Sequence, residues 1–596
     1  MLKFALTIME IMSRKSRRED FIFAVGVLII SWVLLFSKAP YRLEFKEQIS
    51  IFLLGADRLG WYFSNPGFLA CIIGDWLTQF YISPMIGTTL SVLLLAAVLT
   101  GLARFFRLVV KNRPVSLTLS TVPVLLEGYF ITFPNYPVSA TVGLAITAWT
   151  ACALAHIKDL KISPLMYGIA VPLWFVIAGG HAVSLALLLA FIKRKEGIIQ
   201  ELYIVFGIAV MLVCGRMYNL SLLHTLIWPV WPGYIIPSET LLLIMPWLIQ
   251  GVMILSLNYY KVMDSRWRYA VLPLLFVIGI PLSENLGNDI LERAVKIGTL
   301  AYENDWKEVR KMSSSYESNH YKSYYWNLCN AREGRLADGL LKGEWGRSSN
   351  ILFLSTGEGD PYLSMIYYTD ALLEMGDVSQ ATDCALLAQT VMPGHTSTRI
   401  LRRLAEIGIV TGDYDVAVKY LNILVRTRNH RAWAQYLLDC IKADEIPEQY
   451  LIWRSRTVPN DHFVVQGDIK SSLSVIASES PFNRVAIDYL LCSYLLDKNV
   501  NTFISLYDKY YLNSLDQIVK VPELYQEALL VNVTSKESLI ETVEKYNLSQ
   551  QVVDKYLNLL EARANSDRPE TTITNEASGT YWHYIMSVRF NNSNRR

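Results

Sequence analysis

The sequence lacks paired cysteine motifs. Its seven cysteines are scattered singly, with no CxxC pair and no His or Cys neighbour at the spacing of metal ligands. This pattern argues against a disulfide framework or a cysteine-based metal site, and it predicts free cysteines within helices at Cys71, Cys152, Cys214, Cys329, Cys384, Cys440 and Cys492.

The chain also has little net charge, and its N-terminal region lacks the cleavage pattern of a signal peptide. A formal charge of +2 over 596 residues gives no reason to expect a nucleic-acid or strongly acidic partner. The N-terminus is basic and then apolar, but no small-x-small cleavage pattern follows Phe36, and further apolar runs come after it. We therefore predict that the first apolar run is an uncleaved membrane helix.

The chain has two unlike halves, although 52% of all residues are hydrophobic. Up to about residue 284, apolar runs of roughly membrane-span length recur with short basic interruptions. Beyond it, apolar residues follow a helical period among frequent charges. The sequence predicts an all-α protein with an integral membrane domain (1–284), a soluble repeat domain (285–575) and a polar C-terminal tail (576–596).

Nine apolar runs are predicted to cross the membrane, since about 20 residues of helix cover the ~30 Å hydrocarbon core. A shorter apolar stretch, 68–82, contains Asp75 and is interpreted as an interfacial or re-entrant helix. The predicted spans are 20–37, 84–105, 115–133, 138–156, 163–179, 181–193, 198–215, 240–257 and 268–283.

Basic residues at the span ends predict the orientation, because Lys and Arg are retained on the cytoplasmic side. They cluster before the first span and after each even-numbered span, whereas most intervening loops have almost none. The first outer loop (37–83) breaks the rule with Lys38, Arg42, Lys46 and Arg58. We expect a bacterial inner-membrane protein with a cytoplasmic N-terminus and a periplasmic C-terminal domain.

The second half contains a repeated helical pattern. DALLEMGDVSQATDCALLAQTVMP places Gly376, Ala381, Ala388 and Pro393 at the offsets of a tetratricopeptide (TPR) unit. A later copy repeats the turn and the first contact with Gly412 and Ala417, and a fainter copy surrounds Gly334. These segments resemble TPR units, in which small residues let paired helices approach closely. The resemblance implies an α-solenoid that binds a protein or peptide.

Charged and imidazole groups at membrane depth need a partner or a function, because burying them is costly. In the predicted topology they gather on the outer side. For Glu127 a structural pair with Arg216 or with a polar group of another span is an alternative to catalysis, and the two histidines fit packing roles as well. The candidates are Glu44, Glu47, Asp57, Arg58, Asp75, Glu127, His181, Arg216, His224 and Glu239.

The order of features in the first 110 residues is informative. An apolar span is followed by an acid (Glu47), an amphipathic stretch ISIFLLGADRLGWYF, the segment NPGFLACIIGDWLTQFYISPMIG, and a second span that ends in Arg104 and Arg107. This order resembles the opening module of GT-C membrane glycosyltransferases. Gln48 stands where that family usually has a second acid, and the absence of a DxD motif argues against a divalent-metal site of the oligosaccharyltransferase kind.

The GT-C resemblance implies transfer of a sugar or glycan from a polyprenyl-phosphate-type lipid donor to an extracytoplasmic acceptor. Glu47 is then the expected general base, with Asp57 and Asp75 as further catalytic candidates, because a positioned carboxylate can take the acceptor's proton. Arg216, with Arg58 or His224, is expected to stabilise the departing phosphate. Glu127 and His181 complete the expected substrate-binding set, and no metal or cofactor is assigned.

The whole chain also resembles an uncharacterised bacterial family of polytopic membrane proteins with helical-repeat tails. The shared features are the Glu-Gln pair of the first loop, PGFLA at 66–70, DWLTQFYI at 75–82 and a tail motif RLA-x5-GxYxxAxKxLN. This second resemblance implies an architecture and no activity. A non-enzymatic membrane-anchored scaffold for envelope proteins therefore stays open, and a transporter is a weaker third interpretation because no two-fold internal repeat is visible.

Overall fold

A computed structural model describes residues 25–109, 113–156, 164–192, 198–228, 289–314, 320–342, 349–354, 361–392, 396–458, 469–512, 521–564 and 579–587. Within these ranges every regular element is a helix, and no strand occurs. The predicted all-α class is therefore confirmed. The predicted spans 240–257 and 268–283, together with Glu239, lie outside the described residues.

The chain divides into two compact units. The first comprises residues 1–296 together with two later segments, 390–399 and 424–431. The second comprises 297–389, 400–423 and 432–596. The two later segments are important for the candidate site, because they supply side chains to the first unit.

The described helices of the N-terminal half are mostly apolar. A 3-10 turn, Gly179–His181, lies between the eighth and ninth. Their bounds are α1 Val25–Lys38, α2 Pro40–Gln48, α3 Ala56–Phe63, α4 Phe68–Thr78, α5 Pro84–Val109, α6 Arg113–Phe130, α7 Val138–His156, α8 Pro164–Ala178, α9 Ala182–Ile192, α10 Ile198–Met217 and α11 Leu222–Ile227.

The core of the first unit is built around α5 and α7, which pack on each other, with α6 against α5 and α4 against α7. Leu95, Val98 and Leu102 of α5 are buried here, as are Ala148 and Ala151 of α7. Small residues allow the closest contacts. A Cβ placed on Gly74 of α4 would lie 2.5 Å from the Ser139 backbone of α7, so only glycine fits there.

The described residues contain fewer membrane spans than the nine that the sequence predicted. Three helical runs there are long and apolar enough to cross a membrane, namely Pro84–Leu108, Val138–Ala155 and Gly168–Ala190. A fourth results if Val25–Lys38 and Pro40–Gln48, bent by 76°, are taken together. These runs are compatible with a membrane protein.

The two predicted spans 163–179 and 181–193 illustrate why the count falls. Gly179 has φ 67°, a conformation that interrupts a helix, and the turn separates α8 of 15 residues from α9 of 11. At 1.5 Å per residue, each is shorter than the ~30 Å of a hydrocarbon core. Together they form one run of span length rather than two.

The first outer loop is more helical than its sequence suggests. The polar stretch expected to be a short turn forms α2, with Pro40 in its first turn. The amphipathic stretch 49–63 is helical only over α3, and the predicted re-entrant helix is α4. Six residues of α2 are buried, including Arg42, Glu44, Lys46 and Gln48, so its polar groups need partners inside the protein.

Seventeen helices are described from residue 289 onward. They are α12 Asp289–Tyr302, α13 Trp306–Ser313, α14 His320–Arg332, α15 Leu336–Gly339, α16 Pro361–Met375, α17 Val378–Val391, α18 Thr398–Thr411, α19 Tyr414–Val425, α20 Arg431–Ala443, α21 Glu448–Arg456, α22 Ile469–Glu479, α23 Arg484–Leu496, α24 Val500–Tyr507, α25 Glu523–Leu529, α26 Lys536–Tyr546, α27 Gln550–Ala564 and α28 Tyr581–Ser587.

The glycines that the repeat pattern singled out do occupy tight turns. Gly334, Gly376 and Gly412 each follow a helix and have φ of 67°, 84° and 80°, which favours glycine. Within the second unit, a Cβ on Gly408 of α18 would lie 2.8 Å from the backbone nitrogen of Ala417 on α19. The turn and close-contact features are therefore present, while membership of the TPR class stays a prediction.

The end of the chain is anchored in the second unit. Tyr581 and Trp582 of α28 are buried, and the Trp582 indole donates to the Glu527 carbonyl at 2.8 Å. The Tyr581 hydroxyl donates to the Leu495 carbonyl at 2.9 Å. This part of the predicted polar tail is thus a docked helix.

Candidate functional site

Glu47 lies in the last turn of α2 and contacts a distant part of the chain. Its Oε1 accepts a hydrogen bond from Asn429 Nδ2 at 3.0 Å, and His430 Nε2 lies 3.2 Å from the same oxygen. Thr398 Oγ1 donates to the Glu47 backbone carbonyl at 3.0 Å. All of these residues belong to the first unit. Within the described residues, Oε2 has no hydrogen bond, so this oxygen is available to a ligand.

Two small cavities adjoin each other beside α2. The Glu47 cavity, of about 10 Å³, is lined by Glu47, Gln79, Thr398, Thr427, Arg428 and Asn429. The Asp75 cavity, of about 50 Å³, is lined by Lys46, Arg58, Trp61, Asp75, Ser139 and Trp228. Both are also lined by Ser50, Ile51 and Thr78.

The partition between the cavities is a short hydrogen-bond chain. Ser50 Oγ donates to Thr78 Oγ1 at 2.9 Å, and Thr78 Oγ1 donates to the Asp75 carbonyl at 2.7 Å. The carboxylates of Glu47 and Asp75 therefore face neighbouring spaces separated by small side chains.

Asp75 and Arg58 form an ion pair in the Asp75 cavity. Arg58 Nη2 lies 3.4 Å from Asp75 Oδ2, and the Tyr62 hydroxyl donates to the same oxygen at 2.7 Å. The Arg58 guanidinium lies 4.2 Å from the centre of the Trp61 ring, a cation–π contact. Burial raises the pKa of Asp75, while Arg58 and Tyr62 oppose the rise.

Lys46 is a buried cation at the edge of the Asp75 cavity. Its Nζ donates to the Phe133 carbonyl at 2.8 Å and to the Tyr136 carbonyl at 2.5 Å. The Tyr136 hydroxyl in turn donates to Glu127 Oε1 at 2.9 Å, and Thr141 Oγ1 donates to the same oxygen at 2.6 Å. Glu127 is thus held by hydroxyl groups behind the cavity wall.

Two other polar residues of α2 are also bonded to later parts of the first unit. Arg42 Nε lies 3.0 Å from Glu292 Oε2, and the Tyr41 amide donates to Glu292 Oε1 at 2.7 Å. Arg399 Nη1, on a side chain only 2% exposed, donates to Gln48 Oε1 at 2.8 Å. The Arg42–Glu292 contact pairs two opposite charges, which offsets the cost of burying them.

The structure brings together only some of the predicted site residues. Glu47, Arg58 and Asp75 line the two cavities. Asp57 is exposed at the start of α3 and lines neither of them. Glu127 is bonded to Tyr136 and Thr141, so these hydroxyls take the place expected for Arg216.

The remaining predicted residues line neither cavity. His181 is buried in the 3-10 turn against α7, where a Cβ on Gly143 would lie 2.6 Å from its ring. Arg216 is exposed at the end of α10. His224 Nδ1 lies 2.6 Å from Ser221 Oγ, at the start of α11.

Sequence reasoning missed Lys46, Asn429 and His430 as site residues. The last two follow the second repeat copy and carry no local signal that links them to the first loop. Lys46 did carry a signal, since it was one of four basic residues that broke the positive-inside pattern.

The described residues do not form a recognisable metal-binding site. Within those ranges, no group of three or more His, Cys, Asp or Glu side chains is placed to hold a metal ion. The two cavities offer carboxylate, guanidinium and ammonium groups instead, which suit proton transfer and anion binding.

Comparison with known proteins gives one match. No curated protein and no solved structure matches the chain. A family model does match it over residues 16–587, nearly the whole length, in agreement with the resemblance to an uncharacterised family. The chain therefore belongs to the family of unknown function DUF6057.

Proposed function

We propose that the protein is a GT-C-type membrane glycosyltransferase that moves a sugar or glycan from a polyprenyl-phosphate-type donor to an extracytoplasmic acceptor. One observation carries the proposal. Glu47, the expected base, lines a cavity that adjoins a second one containing the Asp75–Arg58 ion pair. The succession of α1, α2, α3, α4 and α5 also follows the order of the GT-C opening module.

The geometry of Glu47 suits a general base. Asn429 and His430 contact Oε1, which fixes the carboxylate while Oε2 has no hydrogen bond among the described residues. The acceptor O–H proton would pass to Oε2 as the acceptor oxygen bonds to the anomeric carbon. The bond from that carbon to the donor phosphate breaks, and its electron pair leaves with the phosphate. Such proton transfer contributes ~10² to 10⁴ in rate.

The wider architecture of the proposal follows the sequence. A cytoplasmic N-terminus, a bacterial inner-membrane location and a periplasmic repeat domain would put the Glu47 side of α2 outside the cytoplasm. The TPR-like region would then recruit the acceptor, a protein hydroxyl or an envelope glycan.

The experiment compares envelope glycans in cells that carry either wild-type protein or Glu47→Gln as the sole copy. The amide keeps an oxygen for Asn429 but is not a base, so we expect normal protein levels and insertion with loss of the transferred glycan. Asp57→Asn, which removes an exposed carboxylate from the same loop, is the matched control and should keep the glycan. Unchanged glycosylation with a stable Glu47→Gln protein would contradict the proposal.

A second candidate, a non-enzymatic membrane-anchored scaffold for envelope proteins, is favoured by a different observation. The Glu-Gln pair of α2 contacts Asn429, His430 and Arg399. In a scaffold, the role of the pair would be to stabilise the fold through these contacts. In that case a substitution of Glu47 would affect the function of the protein only through the stability of its fold. Glu47→Gln, which preserves the Asn429 contact, would then be fully functional, whereas Glu47→Leu would fail together with the folded protein.

A further inference from the structure

Lys46 has an unusual environment for a buried lysine. Its side chain is 2% exposed, and its two hydrogen bonds go to the neutral carbonyls of Phe133 and Tyr136. Among the described residues, no carboxylate lies within ion-pair distance of its Nζ. An ammonium group has three N–H donors, so two carbonyls leave one donor available. Lys46 also lines the Asp75 cavity.

The charges that line the Asp75 cavity do not cancel. Arg58 and Asp75 neutralise each other as an ion pair, and Lys46 adds a further positive charge. Nearby Arg42 is paired with Glu292, and the Glu127 carboxylate is held by hydroxyls behind the wall. Burial, and then the charge of Arg42, lower the pKa of Lys46 from 10.5 to about 7, while Glu127 opposes this shift. An anion in this space would stabilise the charged form of Lys46.

The size and the walls of the cavity limit what that anion can be. A volume of about 50 Å³ holds a few water-sized groups, which suits a tetrahedral oxyanion. Besides Lys46 and Arg58, the walls include the polar side chains of Ser139 and Asn135 and the Trp228 ring. Arginine and lysine together are common binders of phosphate.

We propose that the Asp75 cavity binds a phosphate group through Lys46 and Arg58. The ligand is either the phosphate of a prenyl lipid or free inorganic phosphate. The first source rests on the proposed function, in which this group would be the leaving group of the donor. The cavity itself, the buried lysine and the charge excess do not depend on that function.

The test uses the full-length protein in detergent, with three probes: inorganic phosphate, farnesyl phosphate in mixed micelles, and farnesol in the same micelles. Lys46→Gln keeps donors for the two carbonyls and removes the charge. We expect it to weaken phosphate binding tenfold or more, because a hydrogen bond to a charged group contributes about 1.5–3 kcal/mol. Arg216→Gln, which removes one exposed positive charge, should stay within about twofold of wild type.

A second variant, with the opposite expected effect on phosphate binding, tests the proposal if Lys46→Gln does not fold. Asp75→Asn leaves an oxygen for Tyr62 and Arg58 and raises the net charge of the cavity by one, so it should tighten phosphate binding severalfold. Weaker binding in this variant, or equal losses in Lys46→Gln and Arg216→Gln, would overturn the proposal.

The probes also identify the source of the phosphate. Binding of inorganic phosphate indicates a free-anion site, and binding of farnesyl phosphate alone indicates a lipid head group. If neither binds above the farnesol baseline, the proposal is wrong, and Lys46 is balanced structurally by Glu127. Phosphate binding with unchanged glycans in Glu47→Gln cells would reject the transferase and keep this site.

Discussion

His430 Nε2 lies 3.2 Å from Glu47 Oε1, although 383 residues separate the two in sequence. Asn429 donates to the same oxygen, and both partners belong to segment 424–431 of the first unit. The carboxylate at the end of α2 is therefore positioned by a late segment of the chain. This contact allows the structural and the chemical role of Glu47 to be separated by the choice of substitution.

Glu47→Leu should lower the free energy of unfolding by about 2–3 kcal/mol, because hydrogen bonds to a charged group are lost and the Asn429 amide loses its acceptor. Glu47→Gln keeps that acceptor and should cost about 1 kcal/mol or less. Denaturant unfolding in detergent measures both. Asp57→Leu, at an exposed position, is the control and should change stability by less than about 0.5 kcal/mol. Equal losses for Leu and Gln would show that the charge, rather than the hydrogen bond, stabilises the site.

Gln48 should tolerate a charge better than an apolar group. Its Oε1 accepts from Arg399, whose side chain is 2% exposed, so Gln48→Leu removes an acceptor from a buried guanidinium. We expect a loss of about 1.5–3 kcal/mol in Gln48→Leu. Gln48→Glu supplies a carboxylate at the same place and should unfold close to wild type in the same assay. A Gln48→Glu variant less stable than Gln48→Leu would contradict this account.

Two glycines of the first outer loop should respond in opposite directions. A Cβ on Gly74 would lie 2.5 Å from the Ser139 backbone, so Gly74→Ala must push α4 away from α7. Overpacking of this kind costs about 1–3 kcal/mol. A Cβ on Gly60 of α3 meets nothing within 4 Å, and Gly60→Ala should gain up to about 1 kcal/mol from helix propensity. Thermal unfolding of both variants tests the α4–α7 contact directly.

The first outer loop shows what the sequence could and could not predict. Its excess of basic residues broke the positive-inside rule, and the structure gives local reasons for it. Arg42 pairs with Glu292, Arg58 pairs with Asp75, and Lys46 binds two backbone carbonyls. The departure from the positive-inside rule therefore indicated basic residues that have partners inside the protein. Their identity could not be predicted, since no local pattern links Arg42 to a residue 250 positions away.

The span count failed for a related reason. Hydropathy responds to composition, and it does not show that α8 and α9, although separated at Gly179, together make one run of span length. By contrast, the turn glycines at 334, 376 and 412 could be predicted, because a tight turn after a helix requires a conformation that few residues other than glycine adopt. Local backbone requirements leave a signal in sequence, whereas contacts between distant segments leave none in a single chain.

Glu527 should make the stability of the second unit depend on pH. Burial raises the pKa of its carboxyl from 4.5 to about 7, although the Tyr581 amide donates to Oε2 at 2.7 Å and opposes the rise. Below pH 4.5 the group is protonated in both the folded and the unfolded chain. Between about pH 4.5 and pH 7 only the unfolded chain ionises, so the folded state loses stability as the pH rises.

Glu527→Gln removes this dependence, because the amide stays neutral and keeps an oxygen for the Tyr581 amide. With about 1.4 kcal/mol for each pKa unit, the variant should gain up to about 3 kcal/mol over wild type at pH 8 and nearly nothing at pH 4.5. Unfolding of the full chain followed at both pH values measures the difference. Glu523→Gln is the control, since that carboxylate is half exposed beside Lys555. A gain of the same size at both pH values would mean that packing, and not ionisation, limits the docking of α28.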